Sequence, residues 1–234
     1  GRVAGDVKLS VGKSSSGVGG GVVISGGASV SSTGGTVSVQ SGAGSNAASG
    51  GIFLQTASSD ESSGQLDVST GGVNSGSSGS LMVTTGDATT GESGNLKFTT
   101  GNAGTGIAGS ILFDAGSSQG HGSGGLVSFK AGYSRSGIGG NVQITGGMSS
   151  SSTGGAVSVT SGKGETLFSG AVLVASGDMS MDSTGGSGTV KIASGDAVAG
   201  TSGAVIVSTG RSTEGNSGAV YIQTGDAQGT TGDV

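Results

Sequence analysis

The stretch Gly94-Asn95-Leu96-Lys97-Phe98-Thr99-Thr100-Gly101 returns fifteen residues later as Gly109-Ser110-Ile111-Leu112-Phe113, and copies of it run the length of the chain. Its template is glycine, any residue, aliphatic, any residue, aliphatic or Phe, any residue, usually Ser or Thr, glycine. Periodicity of this length is the mark of a repeat architecture and outranks any local propensity. The first apolar position falls at Val7, Val22, Val37, Ile52, Leu66, Leu81, Leu96, Ile111, Val127, Val142, Val157, Val172, Val190, Val205 and Val220. Steps are of 15, apart from 14, 16, 18 and a closing 14 to Val234.

The second apolar position lies two residues on, giving the pairs Val7/Leu9, Val22/Ile24, Val37/Val39, Leu96/Phe98, Ile111/Phe113, Val157/Val159 and Val205/Val207 among others. A spacing of two places both side chains on one face of a β-strand, and β-branched residues suit a packed pleated surface. These pairs are the expected core ladder. Glycines bracket each copy, with Ala57 the one exception at the closing place, where the chain turns or backbones approach closely. Seven-residue linkers such as Asp87-Ala88-Thr89-Thr90-Gly91-Glu92-Ser93 join the copies.

A hairpin meander alternates strand direction and needs two kinds of turn. One uniform linker instead predicts an all-β parallel solenoid of about fifteen coils, stacked about 4.8 Å apart over residues 1–234 as a single array. The sequence starts in mid-linker and ends on Gly232-Asp233-Val234, which repeats Gly5-Asp6-Val7. Neither end carries the polar cap that a terminal coil requires, so the expectation is a segment of a longer array or a filament-forming unit.

Composition sets the limits of function. The chain has 56 glycines, no proline, cysteine or tryptophan, 10% charged residues and a net charge of −5. Glycine and serine at this level without a period mean disorder; the period points to a fibrous repeat. No basic patch is present to neutralise phosphates, which excludes nucleic acid as a partner, and no apolar run is long enough to enter a membrane. Absence of cysteine excludes disulfide staples and thiolate metal sites.

The residue between the two apolar ones carries a second pattern. Even-numbered repeats place Val23, Phe53, Met82, Leu112, Leu173 and Ile206 there, with Gln143 as the exception, and Tyr221 adds an aromatic ring in the fifteenth. Odd repeats place Lys8, Ser38, Asp67, Lys97, Ser128, Ser158 and Lys191. An exposed apolar row of this length marks an interface, and these residues are the candidate lateral contact. Leu167-Phe168 adds apolar surface in a linker, and Met179-Ser180-Met181-Asp182-Ser183 forms an expected bulged loop.

Chemistry is sparse. Gly120-His121-Gly122-Ser123-Gly124-Gly125 matches a phosphate-binding Gly-x-Gly-x-x-Gly run but opens no helix, and His121 has no catalytic partner by spacing. Asp87, Asn102, Asp178, Asp196 and Asp226 follow the strand-closing glycines. Such residues favour turns; Ca2+ is the one cofactor their recurrence admits, although the nonapeptide calcium motif is missing. Glu61, Glu92, Glu165 and Glu214 stand singly, without the paired carboxylates of a glycosidase, so no enzyme is expected.

In coil length and Ser/Thr content the chain resembles the β-solenoid antifreeze proteins of insects and grasses. Its outer columns read Lys8/Ser10, Val23/Ser25, Ser38/Gln40 and Phe53/Gln55, where that family presents a regular two-wide Thr array. Runs such as Ser194-Gly195-Asp196-Ala197 followed by Ser202-Gly203-Ala204-Val205-Ile206-Val207 resemble long Gly/Ser/Thr-rich cell-surface repeat proteins of diatoms and other algae. That resemblance implies an extracellular structural fibre or surface filament built by self-association. The alternative it leaves is a module that binds ice or glycans.

Overall fold

The structure, a computed structural model, describes residues 4–179 and 185–233. Most of the bulged loop expected around residue 180 therefore lies outside the described residues. The chain divides into two units, Gly1–Leu112 and Phe113–Val234, a division that falls inside the eighth repeat.

Among the described residues there is neither helix nor strand. The solenoid is thus overturned, and with it the β-helical reading of the repeats. What survives is the period itself: the chain bends at 15–17, 30–32, 45–47, 74–76, 89–91 and 104–106 in the first unit, and at 135–137, 150–152, 165–167, 198–200 and 213–215 in the second. Each bend lies in the middle of a linker.

In six linkers a backbone hydrogen bond is incompatible with stacked coils. The amide of the glycine that opens one repeat donates to the carbonyl of the glycine that closed the repeat before it. This occurs in the first unit at Gly35→Gly27 (2.8 Å) and Gly50→Gly42 (2.9 Å). In the second unit it occurs at Gly125→Gly116 (2.9 Å), Gly140→Gly132 (3.0 Å), Gly155→Gly147 (2.8 Å) and Gly170→Gly162 (3.0 Å). In a parallel coil the opening glycine would sit above the previous opening glycine. It would then be about 23 Å from the closing one, the reach of seven extended residues at roughly 3.3 Å each. A bond of 3 Å between them instead closes the linker at a neck and reverses the chain.

Inside the linkers, serine takes over turn formation. Amides three residues on donate to the hydroxyls of Ser14 (from Gly17, 3.0 Å), Ser29 (from Ser32, 3.0 Å), Ser134 (from Gly137, 2.9 Å), Ser149 (from Ser152, 3.0 Å) and Ser212 (from Gly215, 3.0 Å). All five serines occupy the second place after a closing glycine, so one local side-chain contact is reused with the repeat. Where that place holds Val73, Ala88 or Ala197 there is no hydroxyl. The turn is then made by a left-handed glycine three residues on: Gly76 (φ 101°), Gly91 (φ 114°) and Gly200 (φ 119°). The linkers that looked uniform in sequence are of more than one kind.

Candidate functional site: an exposed apolar row

The described residues include no buried hydrophobic residue, so the expected core ladder forms no core. Val7, Leu9, Val22, Ile24, Val37, Val39, Leu96, Phe98, Ile111, Phe113, Val157, Val159, Val205 and Val207 are all exposed. The physical reason is that neither closed nor open linkers lay a second layer over the apolar pairs, and among the described residues no neighbouring strand covers their flanks.

Exposure is nonetheless graded within most repeats, with Val7 and Leu81 departing from the order. In the second repeat Val22 is 52% exposed, Ile24 74% and the intervening Val23 89%. The fourteenth repeat gives the same order, with Val205 at 53%, Val207 at 72% and Ile206 at 81%. In these repeats the first apolar side chain is therefore the most sheltered of the three and the middle one the most exposed. Phe53, Met82, Leu112, Leu173 and Tyr221 share that middle position and are highly exposed.

Equivalent positions of neighbouring repeats meet at Phe113 and Phe129. The rings of Phe113 and Phe129 meet edge to face, with centroids 6.1 Å apart and planes at 81°. They flank the closed Gly116–Gly125 neck, so reversal of the chain brings the second apolar positions of two repeats together. Such a pair contributes about 0.5–1.5 kcal/mol beyond its area.

The even-repeat triplets Val22-Val23-Ile24, Ile52-Phe53-Leu54, Leu81-Met82-Val83, Ile111-Leu112-Phe113, Val172-Leu173-Val174 and Val205-Ile206-Val207 contain no charge or hydrogen-bonding side chain. Odd repeats interrupt theirs, and Asp67 accepts a hydrogen bond from the Gln65 amide at 2.5 Å. Leu167 and Phe168 are exposed as expected of a linker.

Around this row there is no concave site. No pocket is found, and among the described residues no three His, Cys, Asp or Glu side chains stand close enough to hold a metal ion. No helix among the described residues is long and apolar enough to cross a membrane. His121 lies in an exposed bend, and Asp87, Asn102, Asp178, Asp196 and Asp226 are each exposed at the start of a linker.

Sequence reasoning missed the neck bonds and the serine turns. The serines had a detectable signal, a hydroxyl recurring two places after the closing glycine, which was obscured because Ala, Gly and Val alternate with it. No protein family, curated protein or solved structure matches the chain.

Proposed function

We propose that this chain is a repetitive structural segment that associates laterally with further copies of itself, as part of an extracellular fibre or surface filament. The carrying observation is its exposed area. The chain presents 23373 Å² of accessible surface. A folded protein of its 21.5 kDa mass presents about 9,000 Å², and its unfolded chain about 31,000 Å².

An excess of this size is not covered by a small ligand or a single docked domain, since a standard interface buries about 1,200–2,000 Å² in all. It extends along every repeat, so a partner with the same period meets it best, and another copy of the chain has that period. The uncharged even-repeat triplets are the contact positions. Ordering each residue costs about 1–2 kcal/mol, which burial between copies has to offset because burial within one copy does not.

Light scattering and electron microscopy of the intact chain across a concentration series test this. Assemblies should form in the native sequence and be lost in the double variant Phe53→Lys, Leu112→Lys. Unchanged assembly in the variant, or a native chain that stays monomeric at every concentration, overturns the reading.

A further inference from the structure

We infer that a β-branched residue immediately before the repeat-closing position holds the following linker open at its neck and that a small residue there permits closure, so that the chain carries part of the code for its own turns in that one column. In the six closed necks that residue is Gly26, Ser41, Ala115, Ala131, Gly146 or Ser161. Where it is Val11, Thr56, Thr70, Thr85, Thr100, Thr209 or Thr224, the corresponding backbone bond is absent, Ala57 standing in place of the closing glycine after Thr56.

Geometry supplies the reason. At Ala115 and Ala131 the Cβ lies 3.1 and 3.3 Å from where a Cβ would stand on the opening glycine, and the neck still closes. One carbon fits there. Serine adds a single γ atom that can rotate away, and Ser41 and Ser161 face the neck through Cβ alone. Threonine and valine carry two γ substituents that fill two of the three staggered positions, so fewer rotamers leave the gap empty. Thr85 places both Cβ and Cγ2 3.5 Å from the corresponding point on Gly94, and Val11 places Cγ1 2.6 Å from that on Gly20. The γ carbon occupies the space the closing backbones need.

Two linkers share a turn and differ at this residue. After Gly132 and after Gly210 the same serine turn forms, Gly137 to Ser134 and Gly215 to Ser212. The first follows Ala131 and closes at 3.0 Å; the second follows Thr209 and stays open. A small residue is required without being sufficient: Ser194 precedes an open linker, and there Gly200 turns left-handed (φ 119°). The linker after Ser176 includes residues outside those described. Closed necks fix the separation of successive apolar pairs, and open ones leave it adjustable.

The experiment is nuclear magnetic resonance on the full isotope-labelled chain, reading the scalar coupling transmitted through the hydrogen bond from amide nitrogen to carbonyl carbon. In the native chain Gly140 should couple to Gly132. Ala131→Thr should abolish that coupling and speed exchange of the Gly140 amide about two- to tenfold, whereas Ala131→Ser should keep both. Thr209→Ala should create a coupling from Gly218 to Gly210. With no buried core, none of these changes has a core to disrupt. A coupling that survives Ala131→Thr, fails to appear in Thr209→Ala, or is missing from the native chain overturns the inference.

Discussion

The loops Gly42–Gly50 and Gly86–Gly94 have the same length and join the same kind of repeat, yet they end differently. The first closes on itself through a 2.9 Å bond; the second has no such bond and turns through a left-handed Gly91. Ser41 precedes one and Thr85 the other. Within the loops, the second place holds Gly44 in the first and Ala88 in the second. Repeat length therefore fixes where the chain bends, and a few side chains at the loop margins determine how it bends.

The strongest way to break this contrast is steric. A Cβ on Gly44 would collide with the carbonyl of Ala47 and lie 2.6 Å from that of Ala48, both backbone atoms with no room to yield. Gly44→Val should open the Gly42–Gly50 neck and make the loop resemble its open counterpart, at a cost of about 1–3 kcal/mol to the closed form. Loss of the coupling from Gly50 to Gly42 is the expected outcome. Its persistence would show that the loop tolerates a side chain where the backbone leaves no space.

A somewhat smaller effect is expected in the open loop. Gly91 sits at φ 114°, which an L-residue adopts only at about 1–2 kcal/mol. Gly91→Ala should move residue 91 to negative φ, read from its amide–α-proton coupling, while the 42–50 loop keeps its signals unchanged. A residue 91 that remains left-handed as alanine would mean that contacts beyond the linker hold it there.

Much of this was legible in the sequence and some was not. The repeat, its register and the exposed middle column at Val23, Phe53 and Leu112 follow from counting residues. The alternation of apolar and polar middles could be read in the same way. The error lay in treating every linker as one turn. Spacing of two at Val22 and Ile24 is the pattern of a strand, but a strand also needs a partner for its backbone groups, and pairing depends on where the linker returns the chain. That return is decided by atoms no periodicity reports, such as the γ carbon of Thr85 against Gly94 or the collision that any side chain on Gly26 would have with the Gly35 carbonyl. The middle column is exposed, but so are the pairs on either side of it, because apolar pairing alone does not distinguish a covered face from a bare one.

The smallest effect concerns the serine turns, and it tests whether bend and neck are separate devices. The loop after Gly147 has both: Ser152 donates to Ser149 at 3.0 Å, and Gly155 donates to Gly147 at 2.8 Å. The loop after Gly42 closes with Gly44 in place of the serine, so the neck does not depend on a hydroxyl. Ser149→Ala should therefore release the Ser152 amide, with exchange rising about two- to fivefold for the loss of one exposed hydrogen bond, and leave the Gly155–Gly147 coupling in place. Collapse of that coupling in the same variant would join the two devices into one, with the serine turn holding the neck in position. Independence would instead mean that bends can vary in chemistry from repeat to repeat while the necks alone set the distance between apolar pairs.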